Sequence, residues 1–218
     1  MKIATWNIER PTKNDKRIPV IEDILKNVNA DILILTETNE FLNPGNDYNC
    51  FHSANAPEDF YTTGEKRVSI YSKYDSIGNS KTFRDDIAIC KILRTPFGDL
   101  AVYGTIIGTE GNRKAGFTKD LYQQLLDFDK IAGENNLCIA GDFNISFGDN
   151  YYFTGSGRQK LNDSFAKLRL ENLTSAIPNN IDHIVLPHNF IAGRSVSSDT
   201  WNPDKKLSDH IGVSITIV

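Results

Sequence analysis

The feature that most constrains this chain is a recurrence of short apolar runs, at residues 3–8, 32–35, 68–71, 87–93, 100–107, 137–140, 181–186 and 211–218. Several are β-branched, and the last alternates, with Ile211, Val213, Ile215 and Ile217 on one side of an extended backbone. Side chains of a strand point to opposite faces in turn, so this pattern marks half-buried strands. Two amphipathic stretches of helical period lie between the runs. One covers 18–29, with Ile21, Ile24, Leu25 and Val28 in step; the other covers 118–133, with Leu121, Leu125, Phe128 and Ala132. A shorter helical pattern covers 161–168. Many strands, few helices and hairpin-like links predict an α/β fold of two mainly antiparallel sheets with helices outside. No linker, repeat or low-complexity tract divides residues 1–218, so one domain is expected. Polar stretches at 39–47, 53–66, 108–116 and 147–160 are the expected loops, where a substrate would be gripped.

Composition narrows the class. The 218 residues are 39% hydrophobic and 24% charged, ordinary for a globular protein. No run approaches the roughly 20 apolar residues of a membrane span, and MKIATWNIE reads as a first strand rather than a signal peptide. Three scattered cysteines, 50, 90 and 138, form neither a disulfide frame nor a zinc spacing, which places the chain in a reducing cytoplasm. The net charge of −4 argues against a wide basic face that coats nucleic acid, but not against nucleic acid as substrate. Lys13, Lys16 and Arg17 read as a solvated face before a helix, or as a phosphate contact.

Polar residues then interrupt the ends of the apolar runs. IAGDFNIS carries Asp142 and Asn144 two apart, on the same side of a strand, with Phe143 on the other. TWNIE carries Asn7 and Glu9 in the same way, Glu37 follows the run at 32–35, Asp182 opens another strand, and Asp209-His210 precede the last. Each alone is compatible with turn chemistry or a solvated side chain. Together, acids and amides at the ends of separate strands point to one site. A carboxylate such as Asp142 is expensive to bury unpartnered; a cation, a water to be deprotonated or His210 would compensate it. The set is rich in oxygen, holds no thiolate and has a single histidine, which suits Mg²⁺ or Mn²⁺ over zinc and fits hydrolysis of phosphate esters. An Asp on one nitrogen of His210 would fix its tautomer and raise its basicity.

TWNIE, the TE of LILTETNE, AGDFN, NIDHI and SDH, in that order, resemble the signature of the endonuclease/exonuclease/phosphatase superfamily, the DNase I-like and AP-endonuclease-like metal-dependent phosphohydrolases. The resemblance spans nearly the whole chain. It implies a four-layer α/β sandwich, two mainly antiparallel or mixed sheets flanked by helices. It further implies Glu37 as the principal Mg²⁺ (or Mn²⁺) ligand, with Asn7, Glu9 and Asp209 at or near the metal. Asp142 would orient or deprotonate the attacking water, Asn144 would bond the scissile phosphate, and His210, held by Asp182, would contact a phosphate oxygen or transfer a proton. The sequence departs from the family's pattern where a His, Tyr or Asn often ends the strand written here LAVYGTIIG. Ile106 and Ile107 stand there, and the phosphate contact would pass to Thr109, Asn112 or Arg113. Tyr151 and Tyr152, with Phe153 beside them, would either stack a base or plug the rim of the core. The function expected is a phosphodiesterase or nuclease acting on DNA or RNA, with a monomer as the working assembly state. The alternatives are a phosphatase or phosphodiesterase for a small sugar, inositol or lipid phosphate, and a catalytically silent binding module on the same fold.

Overall fold

Two parallel crossovers set the architecture. Strand β1 (Lys2–Asn7) runs through helix α1 (Ile18–Val28) into β2 (Ile32–Asn39), which lies parallel beside it. Strand β7 (Gly98–Ile106) runs through α2 (Ala115–Ala132) into β8 (Asn136–Asp142), again parallel. Antiparallel strands complete each sheet: β3 (Asn49–His52), β4 (Glu65–Ser72), β11 (Val196–Trp201) and β12 (Gly212–Ile217) in the first, β5 (Ser76–Ser80), β6 (Ala88–Thr95), β9 (Leu170–Asn172) and β10 (Asp182–Pro187) in the second. The orders are β11-β12-β1-β2-β4-β3 and β5-β6-β7-β8-β10-β9, two six-stranded mixed sheets. Helices α3 (Gly155–Leu168) and α4 (His188–Ile191) complete the chain. The computed structural model describes residues 1–56 and 62–218; residues 57–61, part of the loop expected at 53–66, lie outside the described residues.

Alternation along the strands builds the layers. Ile3, Ile34, Ile70, Val102, Ala140, Ile184 and Ile215 face one another between the sheets. On the outer face of the first sheet, Ala4, Trp6, Leu33 and Leu35 receive Ile21 and Leu25 of α1. On the outer face of the second, Tyr103, Ile139 and Val185 receive Phe117, Leu121 and Phe128 of α2 and Leu161 and Phe165 of α3. Two glycines allow close approaches. A Cβ on Gly104 would stand 3.0 Å from Val68 of the opposite sheet. Gly141 has φ +138°, and a Cβ there would stand 2.0 Å from the Thr105 carbonyl oxygen of the parallel neighbour β7.

Expectation and structure differ at the edges. The four strands that the apolar runs did not announce, β3, β5, β9 and β11, are the four edge strands. An edge strand buries little and needs no apolar alternation, as the exposed Ser197, Ser198, Asp199 and Thr200 of β11 show. The α2 stripe is rotated from the one predicted: Phe117, Asp120, Leu121, Gln124, Phe128 and Ile131 are buried, while Leu125 and Ala132 sit at its margin. Gln124 belongs inside because its amide donates to Ile106 O at 3.0 Å and accepts from Thr105 Oγ1 at 2.7 Å. Helix α3 begins at Gly155, inside the loop expected at 147–160, with Thr154 capping Gly157 N at 3.2 Å. Gly157 lies so close to Phe117 that a Cβ would meet that ring at 2.9 Å, so this glycine serves packing rather than a turn.

Gly141→Ala tests the crowding at the end of β8. A methyl group cannot share space with a backbone carbonyl at 2.0 Å, and the positive φ adds strain. The expected loss is more than about 2 kcal/mol, read as a lower urea midpoint at unchanged m.

Candidate active site

Strand direction brings the polar residues to one end of the sandwich. β1 and β2 are parallel, so Asn7 and Glu37 leave the sheet at the same edge. β12 is antiparallel to β1, which places its preceding residues, Ser208 to His210, beside the end of β1. In the second sheet the antiparallel register sets Asp182, first in β10, directly opposite Asp142, last in β8. Glu37 has φ +47°, a left-handed conformation inside β2, and the β2–β4 register runs unshifted across it, from Thr36 opposite Val68 to Thr38 opposite Lys66. Asn144 also holds a left-handed conformation, φ +53°.

Asn7 links the two sheets. Its Nδ2 donates to Glu37 Oε1 at 3.1 Å and to Asp142 Oδ2 at 3.2 Å, and its backbone N donates to Asp182 Oδ1 at 3.1 Å. Its own side-chain oxygen accepts from Glu9 N at 3.0 Å. Asp182 also receives His210 Nδ1 at 2.5 Å through its other oxygen. His210 is fixed from behind: its carbonyl accepts from Trp6 Nε1 at 3.1 Å and Asn202 Nδ2 at 2.7 Å. Its amide donates to Ser208 Oγ at 3.1 Å, and that hydroxyl donates to Asn7 O at 2.6 Å. Asn144 caps Asp142 through its amide N, 2.8 Å from Oδ1, while its Nδ2 reaches Ile107 O and Gly108 O, both at 3.2 Å. Asn112, buried, donates to Asn144 O at 2.7 Å.

The remaining candidates are more dispersed. Asp209 is exposed, with Oδ1 3.6 Å from His210 Nε2. Glu9 turns outward and pairs with Arg17, whose guanidinium is also held by Asp15 and Leu207 O, so Arg17 is part of the loop's own fold. Arg113 is exposed on the loop after β7. Thr109 lines a cleft of about 160 Å³ with Glu37, Ile106, Arg10 and Arg67. Tyr152 accepts from Asn112 N at 3.3 Å and is occupied within the loops, whereas Tyr151 is 49% exposed.

Several of these residues escaped the sequence reading. Arg10 and Arg67 flank Glu37, although no Lys or Arg close to Glu37 in sequence announces them. Arg10 pairs with Glu65, and buried Arg67 with Asp86 at 2.7 Å. Arg67 sits on β4 between Val68 and Lys66, the partners of Thr36 and Thr38, so only the pairing register could have placed it across from Glu37. Ser208 stands within SDH and Trp6 next to Asn7; Asn202 has no local signal.

The electrostatics follow from burial. Desolvation raises Asp142 to about 7, opposed by His210 and reinforced by Asp182. Burial also lowers His210, but the Asp182 and Asp142 carboxylates outweigh it and raise the imidazole to about 10, so it stays charged. Glu37 is raised by desolvation, against the Asn7 hydrogen bond. Three acids thus crowd one end of the sandwich around a single imidazolium. That surplus of hard oxygen donors fits a divalent cation at Glu37. Among the described residues, no group of three or more His, Cys, Asp and Glu side chains encloses a metal position by itself.

Below the site lies a second histidine. His183 is buried between Phe143 and Phe147, donates from Nε2 to Ile145 O at 2.9 Å, and has Thr174 Oγ1 3.1 Å from Nδ1. Burial lowers it to about 3, so it is neutral in the fold. Unfolded, it binds a proton below about 6.5. Its contribution is therefore present above that pH and is lost as pH falls towards 3. His183→Gln should flatten the decline of stability between pH 6.5 and 4.5 by up to about 1.4 kcal/mol per pH unit, measured by urea unfolding at both pH values.

A sequence model described as the Endonuclease/Exonuclease/phosphatase family matches residues 4–210. No curated protein matches the chain. Among solved structures, a variant of the 3′ phosphatase NExo from Neisseria, bound to a product DNA hairpin, superposes with a TM-score of 0.73 at 17% identity, covering 100% of this chain and 99% of that one. An AP endonuclease from Archaeoglobus fulgidus gives 0.72 at 15% identity, covering 100% and 99%. The endonuclease domain of TRAS1, a telomere-specific non-LTR retrotransposon, gives 0.71 at 16%, covering 99% and 97%. These likenesses show the DNase I-like sandwich. Among the described residues, no helix is long and apolar enough to cross a membrane.

Proposed function

The chain belongs to the endonuclease/exonuclease/phosphatase family of phosphoester hydrolases, and from that premise we propose that it is a phosphodiesterase acting on nucleic acid, DNA or RNA. The observation that carries the reading is the unit of His210, Asp182, Asn7, Asp142 and Glu37, joined in one network by hydrogen bonds of 2.5 to 3.2 Å. Asp142, raised to about 7, is poised to accept a proton from the attacking water. His210, kept as an imidazolium by Asp182, offers Nε2 to a non-bridging phosphate oxygen. Water attacks phosphorus and passes its proton to Asp142, the P–O bond to the leaving group breaks, and the departing alkoxide takes a proton from solvent. Asn144 holds Asp142 in register through its backbone N, and its side-chain amide is engaged by Ile107 O and Gly108 O, so its role is to position Asp142. Glu37, with Asn7 and Asp209 at or near it, would hold Mg²⁺ or Mn²⁺, which when bound neutralises charge developing on the phosphate.

The family typically uses a divalent metal. Glu37→Gln keeps the shape and loses the charge, so kcat/KM should fall at least about 10²-fold with the thermal midpoint preserved. The assay compares plasmid DNA, single-stranded RNA, bis-p-nitrophenyl phosphate and p-nitrophenyl phosphate, with and without Mg²⁺ or Mn²⁺. Near-normal turnover by the variant at saturating metal would remove Glu37 from the reaction.

A small phosphate ester is the second reading, favoured by the net charge of −4 and the small cleft at Glu37. Salt separates the two. A nucleic acid presents phosphates beyond the scissile one, and exposed Lys13, Lys16, Arg113 and Lys114 stand on the loops after β1 and β7. Each contact should steepen the fall of log kcat/KM with log salt by roughly 0.9 on duplex DNA. Lys13→Ala/Lys16→Ala should make that slope shallower by about 1 to 2 on an oligonucleotide and leave a small diester unaffected. A flat salt response on the oligonucleotide transfers the assignment to a small-molecule esterase.

A further inference from the structure

Next to the catalytic unit the molecule holds a larger cavity, of about 730 Å³, which the hydrolytic residues do not use. That volume lies within the roughly 300–1,000 Å³ of small-ligand sites. It starts where the catalytic loop ends, because Ile211, the residue after His210, is part of its wall. Ile177, Pro178 and Asn179, in the loop leading to Asp182, line it too. Tyr151, Ala176 and Pro203 add apolar lining, Ser198 and Thr200 of β11 add hydroxyls, and Asp204 and Lys205 add one charge of each sign.

The cavity is built, not incidental. Asp149 ties two of its walls together, accepting from Tyr151 N at 3.0 Å through one oxygen and from Asn179 N at 2.7 Å through the other. Those backbone bonds hold its carboxyl below the usual range. Lys205 bonds Tyr151 Oη at 2.9 Å, with its ammonium 4.5 Å from the ring centroid, so a cation and an aromatic face stand together on the rim. The ring remains half-exposed at 49%.

Apolar faces combined with an edge of hydroxyl and amide groups match a heteroaromatic ring, which is apolar on its faces and polar around its rim. An acyl chain would leave Asn179, Ser198 and Thr200 without work. We infer that this cavity is a nucleobase subsite, which takes the base of a nucleotide whose phosphate lies at His210, with Tyr151 as its stacking wall. The inference rests on the phosphodiesterase reading for the orientation of the substrate, and deepens it by requiring a base next to the phosphate.

Binding tests it without turnover. Calorimetric titration in magnesium chloride compares adenosine monophosphate, ribose 5-phosphate and hexyl phosphate on the full chain. Adenosine monophosphate should bind about tenfold tighter than ribose 5-phosphate. Tyr151→Ala should erase most of that preference, and Tyr151→Phe should retain it; Tyr151 is exposed, so neither change threatens the core. Equal affinity for the two ribosyl phosphates, a preference unchanged in Tyr151→Ala, no binding of adenosine monophosphate at millimolar concentration, or tighter binding of hexyl phosphate would each overturn the subsite. A nucleotide preference that depends on Tyr151, found in a protein that hydrolyses none of the four esters, would support the subsite and sink the hydrolase reading alone.

Discussion

Asp142 and Asp182 face each other across the β8–β10 ladder, both buried, at a place where two like charges ought to drive strands apart. The chain resolves the conflict by surrounding them. Asp182 receives the Asn7 backbone on one oxygen and His210 on the other, and Asp142 receives the amides of Asn144 and Asn7. Carboxylates that accept several hydrogen bonds and sit beside a cation can be kept at full burial. Both donors of Asn7 come from the first sheet while both aspartates belong to the second. The contact that meets the burial cost is therefore also the contact that registers one sheet on the other.

That dependence explains the local backbone. Gly141 lets β8 run against the Thr105 carbonyl up to the residue before Asp142. The left-handed Glu37 and Asn144 turn their side chains out of the ladder towards the shared space. Non-glycine residues at positive φ are held only where surrounding bonds over-determine them, and both have such bonds, from Asn7 to Glu37 and from Asn144 to three carbonyl or carboxylate oxygens.

The interior of the fold and the acidic constellation were legible in the sequence because burial writes itself into alternation. Ile3, Ile34, Val213 and Ile215 declare their strands, and Asp142 or Asp182 stands out as a charge at the end of an apolar run. Edge strands left no such trace: Ser76–Ser80 and Val196–Trp201 carry polar residues on both faces because water covers at least one. The helical pattern at 161–168 announced the second half of α3, but its first turns were hidden by Gly155 and Gly157, residues that read as loop until the close approach of Phe117 to Gly157 is seen. Arg67 was illegible for a different reason. Its place beside Glu37 depends on β2–β4 register, a relation between distant segments that no local pattern encodes.

Two arginines share a cleft with the end of β7. Ile106 stands in the cleft wall where the family's pattern often has a polar donor, and it can stabilise no charge. The same cleft is bounded by Arg10 and by Arg67, the latter buried against Asp86, which Arg84 also contacts at 2.6 Å. A buried guanidinium is costly unless carboxylates surround it, and Asp86 meets that condition. Arg67 is thus held rigid on the first sheet by an ion-pair network rather than by a single partner. Glu37 is held by Asn7 Nδ2 at 3.1 Å and shares its cleft with these guanidiniums, whose ion pairs are made to Glu65 and Asp86.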